Sequence, residues 1–184
     1  MRVARPAGLL LLIASCGPTG PQSTPPTKVG SSSVSAAAEF TRTRILDPRI
    51  EVPDVSFLAA GGERIELKSF AGRVVVLSLW ATWCSPCVEE MPTLNRLAGL
   101  LPMIAVVPVN LDAHGAAAAA RFIERHALLN LSAYHDSQGQ LMGLLGARGL
   151  PTSLVIDRTG RIAAVVEGAI DWTSTQMLEW LPRV

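Results

Sequence analysis

The chain has 184 residues, a length that suits one domain of ordinary size with a tail and leaves little room for two domains. Apolar residues make up 49% and charged residues 17%, which allows a packed core and excludes a chain that is disordered throughout. The 16 basic and 15 acidic side chains nearly balance, so we expect no nucleic-acid partner. Three cysteines are too few for a scaffold held together by disulfides.

The amino terminus has the features of an export signal. Two arginines precede an apolar run over residues 7–14, which is far shorter than the roughly 20 residues of a membrane-spanning helix. The run ends in Ile13-Ala14-Ser15-Cys16, which resembles the lipobox of bacterial lipoproteins, where the cysteine receives the lipid. We therefore expect residues 1–15 to be a signal peptide and Cys16 to be the lipid-attachment site. An ordinary cleaved signal with an incidental cysteine is the alternative.

A tether is predicted between this signal and the folded domain. From residue 17 to residue 35, 15 of 19 residues are Gly, Pro, Ser or Thr. Such a composition cannot bury enough apolar surface to offset the entropy lost on ordering. The sequence therefore predicts a flexible tether over residues 16–45 and one folded domain over residues 46–184.

Strands and helices alternate along the folded domain. Residues 55–67 are typical of two short strands around a Gly61-Gly62 turn, and residues 74–80 form a β-branched run suited to a strand buried on both faces. A helix is predicted from Cys84 to about residue 101, with Pro92 as a kink. The remaining predicted elements are a strand over 104–109, helices over 116–128 and 138–145, two strands of a hairpin around 157–160, and a closing helix over 173–181. This order predicts an α/β fold, with a central mixed β-sheet and helices on both faces.

A redox pair is predicted where the first long helix begins. Cys84 and Cys87 come directly after a buried strand, and one helical turn brings their sulfurs close enough to bond. Unpaired amides and the helix dipole stabilise a thiolate at the first position. We therefore assign Cys84 as the attacking sulfur and Cys87 as the resolving sulfur. Pro86 fits the first helical turn, where its missing amide hydrogen matters least.

A zinc site and a purely structural disulfide are the alternative interpretations of this cysteine pair. A zinc site needs four ligands, and the sequence has no second CxxC motif and no cysteine–histidine cluster. A purely structural disulfide would close too small a loop to stabilise the fold much. We therefore expect no metal, and no cofactor other than the redox-active disulfide Cys84–Cys87 itself.

Several motifs together resemble a known family. Residues 79–87, LWATWCSPC, resemble the active-site strand and helix of thioredoxin-like proteins. Residues 88–94, VEEMPTL, resemble the TlpA/ResA branch, the extracytoplasmic thiol-disulfide oxidoreductases. Gly149-Leu150-Pro151-Thr152 matches the cis-proline loop of the family. The resemblance covers roughly residues 50–184 and implies a thioredoxin-like fold, in which residues 113–136 resemble the central insertion of the TlpA/ResA branch.

Glu90 has two competing interpretations, one as a residue of the active site and one as a surface residue without a function in catalysis. It matches a glutamate that tunes the active-site thiols in the ResA-like branch, and it lies one helical turn from Cys87. A solvated acid in the first turn of the helix is the alternative. Ser78 stands where thioredoxin has a buried acid, which leaves Glu90 as the better candidate for proton transfer. Trp172 is expected to be a core residue.

The family resemblance also indicates how a substrate is positioned. It implies that Pro151 has a cis peptide bond, packs beside the disulfide and frees the backbone near Leu150 to pair with a substrate strand. We therefore expect the substrate to be positioned by Trp83, Pro86, Leu150, Pro151 and Thr152.

The resemblance implies a bacterial enzyme of the periplasm or the outer side of the cytoplasmic membrane, anchored there by its lipid. It favours a monomeric reductant that receives electrons from a membrane thiol transporter and exchanges them with protein thiols and disulfides. The expected process is cytochrome c maturation or copper-site assembly. Two alternatives on the same fold remain open. A peroxiredoxin-type peroxidase has a threonine where Ala81 stands, and a Sco-like copper-binding module spaces its cysteines four apart and needs a distant histidine such as His135.

Overall fold

The computed structural model describes residues 41–113 and 115–184. The predicted signal peptide, Cys16 and nearly all of the predicted tether therefore lie outside the described residues. In the described part, the strands are β1 (Thr43–Glu51), β2 (Ser56–Ala59), β3 (Arg64–Glu66), β4 (Val74–Trp80), β5 (Ile104–Asn110), β6 (Tyr134–His135), β7 (Thr152–Ile156) and β8 (Arg161–Glu167). The α-helices are α1 (Ser85–Leu100), α2 (Ala116–Arg125), α3 (Leu141–Leu144) and α4 (Thr175–Trp180). None of these helices is long and apolar enough to cross a membrane.

The strands form one mixed sheet in the order β1-β8-β7-β4-β5-β6-β2-β3. Strand β5 is parallel to β4 and to β6, and the other neighbouring pairs are antiparallel. All seven residues of β4 are buried because both faces of the sheet are covered. Since side chains alternate along a strand, Val76 and Trp80 pack in the cluster that includes α1, α2 and α4. Leu77 and Leu79 pack on the opposite face, in the cluster that includes α3. The predicted mixed sheet with helices on both faces is confirmed.

The largest difference from the prediction is strand β1. It begins at Thr43 and runs along the edge of the sheet, paired with β8, although no strand is predicted there from the sequence. Most of its residues are exposed, and Pro48 follows a cis peptide bond where the pairing with β8 shifts register. An edge strand that is interrupted by proline lacks the alternating pattern on which strand prediction depends.

Two predicted helices are shorter in the structure. The helix predicted over 116–128 ends at Arg125, and Ala127 has a positive φ of 50°, which stops the helix. The helix predicted over 138–145 covers only Leu141–Leu144. The carboxylate of Asp136 accepts hydrogen bonds from the amides of Gln138 and Leu141, so the residues before the helix form a turn instead.

The chain enters and leaves the described domain at opposite ends of the sheet. At the end where β4 stops and β7 starts, the carbonyl of Arg42 accepts a hydrogen bond from the amide of Glu167 at 3.0 Å. The guanidinium of Arg42 donates to the carbonyl of Ala169 at 3.1 Å. At the other end, Arg158 in the β7–β8 turn donates to the carbonyl of Val184 at 3.1 Å.

Candidate active site

Cys84 and Cys87 form a disulfide at the start of α1. Their sulfurs are 2.04 Å apart and their Cα atoms 5.2 Å apart. Cys84 is the N-cap residue, and its Sγ accepts a hydrogen bond from the amide of Cys87 at 3.3 Å. Such a donor stabilises negative charge on the Cys84 sulfur once the disulfide is reduced. Cys84 is 6% exposed and Cys87 only 1%, an order that favours Cys84 as the attacking sulfur.

A largely apolar cavity of about 680 Å³ opens beside Cys84. Trp83, the exposed residue before it, is 73% accessible, and Pro86 lies in the first turn of α1. Both line the cavity, together with Leu111, Met142 and Leu150. The cavity therefore brings three of the predicted substrate-positioning residues, Trp83, Pro86 and Leu150, to the sulfur that is assigned as the nucleophile.

The cis-proline loop forms another wall of this site. The Leu150–Pro151 peptide bond is cis, and the carbonyl of Pro151 accepts from the amide of Gly168 at 2.9 Å. Within the described part of the chain, neither the N–H nor the C=O of Leu150 has a hydrogen-bond partner, which leaves both free for an extended peptide. Thr152 is buried, and its hydroxyl donates to the carbonyl of Gly149 at 2.7 Å. Thr152 therefore stabilises the loop through Gly149. The N–H and C=O of Leu150 are the groups that can pair with a substrate.

Glu90 is buried, with 3% of its surface exposed, so the interpretation as a solvated helix acid is wrong. Its Oε1 accepts hydrogen bonds from the backbone amide of Ile170 at 3.1 Å and from the indole Nε1 of Trp172 at 2.7 Å. Burial raises the pKa of Glu90 to about 7, against the opposing effect of these two hydrogen bonds. The carboxyl group can therefore take up and release a proton near neutral pH.

Two residues of the site were not singled out by their sequence. Trp172 is in the core, as predicted, but its indole N–H also contacts Glu90. Asp112 is buried after β5, and both of its carboxylate oxygens lie 3.2 Å from the amide of Thr82, in the segment that leads to Cys84. The side-chain amide of Asn110 donates to the same carboxylate at 3.1 Å. Polar residues just beyond a buried strand were the available signal for Asp112.

Ser78 offers no proton-transfer group in place of the acid found in thioredoxin. It is fully buried on β4 and lies opposite Ser153 of β7. Among the described residues, neither hydroxyl has a hydrogen-bond partner. Glu90 is therefore the buried acid that lies one helical turn after Cys87 on α1.

Potential metal ligands are dispersed in the described ranges, 41–113 and 115–184. There, no group of three or more His, Cys, Asp or Glu side chains could hold a metal ion. His135 is buried on β6, and its Nδ1 lies 3.2 Å from the carbonyl oxygen of Asn110. This ring nitrogen is therefore engaged by the backbone.

Comparison with known proteins shows what this disulfide site belongs to. The model of the AhpC/TSA family matches residues 48–165, and this range is more than half of the chain. The chain belongs to the AhpC/TSA family. The thiol-disulfide oxidoreductase ResA of Bacillus thuringiensis subsp. konkukian (strain 97-27) is 31% identical over 145 residues, which cover 79% of this chain and 83% of that protein. The chain is thus a thiol-disulfide oxidoreductase of the extracytoplasmic TlpA/ResA type.

Solved structures confirm the thioredoxin-like fold. StoA from Bacillus subtilis has a TM-score of 0.57 and 27% identity, over 70% of this chain and 98% of that chain. The exposed lipoprotein thioredoxin Etrx1 from Streptococcus pneumoniae has a TM-score of 0.59 and 26% identity, over 72% of this chain and 100% of that chain. The similarity to ResA, which is a thiol-disulfide oxidoreductase, favours disulfide exchange over the peroxidase and copper-binding alternatives.

Proposed function

We propose that this oxidoreductase is a membrane-tethered reductant of protein disulfides. The observation that carries the proposal is the buried Glu90, one helical turn from Cys87. A carboxylate in this position disfavours a second negative charge close to it and so destabilises a thiolate. Dithiols are strong oxidants when their reduced form is stabilised. Glu90 has the opposite effect, because it makes the reduced pair more ready to give up its electrons.

In the proposed reaction, the thiolate of Cys84 attacks one sulfur of a substrate disulfide and releases the other as a thiolate. Cys87 then loses its proton and attacks Sγ of Cys84, which breaks the mixed disulfide and re-forms Cys84–Cys87. Two electrons pass from the cysteine pair to the substrate, and the two substrate sulfurs leave as thiols after taking up two protons. Trp83, Pro86 and the cis-proline loop hold the substrate at the cavity, where Leu150 offers its free backbone.

The donor and the targets follow from the family resemblance. A membrane thiol transporter would return electrons to the Cys84–Cys87 disulfide after each cycle. The targets would be protein disulfides in cytochrome c maturation or copper-site assembly. A lipid on Cys16, which lies outside the described residues, would hold the enzyme at the membrane beside this donor, and the match to an exposed lipoprotein thioredoxin supports that arrangement.

The equilibrium reduction potential of the cysteine pair tests the proposed direction. The purified protein is equilibrated with glutathione redox buffers, and the fraction of reduced protein is measured by thiol alkylation. We expect a potential more negative than about −180 mV, the value for protein disulfide isomerase. The variant Glu90→Gln, which lacks the negative charge, should be less reducing. A potential near about −120 mV, as in a strong oxidant, would contradict the proposed direction.

A further inference from the structure

Within the described residues, the hydrogen bonds to the side chain of Glu90 all fall on one of its two carboxyl oxygens. The amide of Ile170 and the indole N–H of Trp172 both donate to Oε1, at 3.1 and 2.7 Å. No donor among residues 41–113 and 115–184 reaches Oε2. The two oxygens of this buried carboxyl group are therefore chemically distinct. An oxygen that already accepts two N–H donors is a poor proton acceptor, because protonation would disrupt one of those bonds.

We propose that Trp172 is a positioning residue for disulfide exchange: together with the Ile170 amide, it holds Oε1 of Glu90 and leaves Oε2 as the oxygen that exchanges the proton. This inference rests on the role proposed above for Glu90. The role of Trp172 is exerted on the carboxyl group, through the hydrogen bond from the indole Nε1 to Oε1.

The segment that carries Trp172 is fixed to α1 by a second contact. The backbone amide of Trp172 donates to the hydroxyl of Thr93 at 3.3 Å, and this hydroxyl donates to the carbonyl of Glu90 at 2.9 Å. The indole is fully buried, so its N–H cannot turn to water. Thr93 therefore holds the backbone of Glu90, and Trp172 holds its side chain. Glu90 lies on the helix that carries the cysteines.

The proposed proton transfer takes place at the resolving step. The thiol of Cys87 gives its proton to Oε2 of the ionised Glu90, and the resulting thiolate attacks Sγ of Cys84. The bond between Cys84 and the substrate sulfur breaks as the Cys84–Cys87 bond forms, and the substrate sulfur leaves as a thiolate. That thiolate takes up the proton that Oε2 releases, so Glu90 returns to its ionised form.

Other charged groups around Glu90 face solvent. Glu89, its neighbour on α1, is exposed, and so are Asp171 on the facing segment and Arg42, which donates to the carbonyl of Ala169. The cysteines do not titrate while they form the disulfide. In the oxidised protein, a titration sensed by Trp172 near neutral pH therefore reports on Glu90.

The first test uses the oxidised wild-type protein, so that it does not depend on a variant that folds. The indole N–H resonance of Trp172 is followed by NMR from pH 5 to pH 9, with Trp80, Trp83 and Trp180 as internal references. We expect the Trp172 resonance to shift with a midpoint near pH 7 and the references to show no such midpoint. A Trp172 resonance that is constant over this range would overturn the proposal.

The second test compares two buried tryptophans. Trp172→Phe removes the donor to Oε1, whereas Trp80→Phe removes a buried N–H that has no partner in the described structure. Because the lost hydrogen bond favours the ionised carboxylate, Trp172→Phe should move the pH midpoint of disulfide reduction upward by about one pH unit. Trp80→Phe should leave the midpoint unchanged, although both variants lower thermal stability. In a Glu90→Gln background, Trp172→Phe should add no further shift.

The outcomes separate this inference from the proposed function. A Trp172→Phe variant that is less stable but has the wild-type pH midpoint would show that the indole is only a packing residue. A wild-type protein that does not reduce protein disulfides would contradict the proposed function, whatever the NMR titration shows.

Discussion

At the scale of single residues, Glu90 links the protonation of the site to the stability of the fold. Its pKa is about 7 in the folded chain, above its ordinary value of 4.5, because burial disfavours the charged form. The folded protein therefore binds this proton more tightly than the unfolded chain does. The resulting stabilisation is fully present below pH 4.5 and is lost as the pH rises through 7.

This linkage predicts a difference in stability between the wild type and Glu90→Gln. Between pH 4.5 and pH 8, the oxidised wild type should lose about 3 kcal/mol of unfolding free energy that the variant does not lose. Chemical denaturation of both oxidised proteins at the two pH values measures this difference, and the variant cancels the contribution of every other titrating group. Parallel pH profiles for the two proteins would show that Glu90 does not titrate in this range.

The two cysteines predict an asymmetry in covalent trapping. Since Cys84 is the more exposed cysteine and lines the cavity, Cys87→Ser should accumulate mixed disulfides with protein substrates. Cys84→Ser should accumulate far fewer, because its remaining thiol is buried. Non-reducing gels after acid quenching, compared with gels run under reducing conditions, give the amounts. Equal trapping by both variants would reverse or remove the assigned roles.

Among the secondary structure elements, strand β7 carries two neighbouring hydroxyl groups, on Thr152 and Ser153, that differ in hydrogen bonding. The Thr152 hydroxyl holds the carbonyl of Gly149 at 2.7 Å, whereas the buried Ser153 hydroxyl has no partner in the part of the chain that the structure describes. Thr152→Val should therefore cost about 1 kcal/mol of unfolding free energy and disturb the cis-proline loop. Ser153→Ala should leave stability unchanged or raise it. Equal losses for the two variants, measured by urea unfolding, would contradict this contrast.

The elements that could be predicted from sequence are those with a strong local pattern. Strand β4 is a continuous apolar run, and α1 begins at a CxxC motif with a proline in its first turn, so both are located to within about a residue. Strand β1 has no such pattern, because it is exposed, lies at the edge of the sheet and contains Pro48. Its place depends on pairing with β8, more than a hundred residues further along the chain.

The residues of the candidate site likewise fall into those that a local sequence motif predicts and those that only the fold brings together. The cysteines, Glu90 and the cis-proline loop could be named from short motifs. The partner of Glu90 could not, because Trp172 is 82 positions away in sequence and meets the carboxyl group only through the fold. The burial of Glu90, which decides between a surface acid and a proton-transfer group, is likewise a property of the packed segments around α1. No local pattern around residue 90 specifies it.

At the scale of the whole molecule, the predicted lipid anchor can be tested by one substitution. Cys16→Ser removes the proposed lipid-attachment site and should release the protein from membranes in a bacterial host that lipidates such signals. Cys84→Ser is the matched control, since it replaces another cysteine and should leave the protein bound. Membrane fractionation followed by immunoblotting measures the distribution. A Cys16→Ser protein that stays with the membrane, together with a wild type that carries no lipid, would overturn the anchor.

The start of the described domain near residue 41 and its last residue, Val184, lie at opposite ends of the sheet. Arg42 lies beside the segment that contacts Pro151, while Val184 contacts the β7–β8 turn at the far end of the sheet. An enzyme immobilised through residue 184 would present its disulfide to the solution. The same enzyme held by a short linker at residue 41 would turn its disulfide toward the support, where small thiols still reach it and bulky proteins are hindered. The choice of attachment point, residue 41 or residue 184, therefore decides whether large proteins can reach the disulfide.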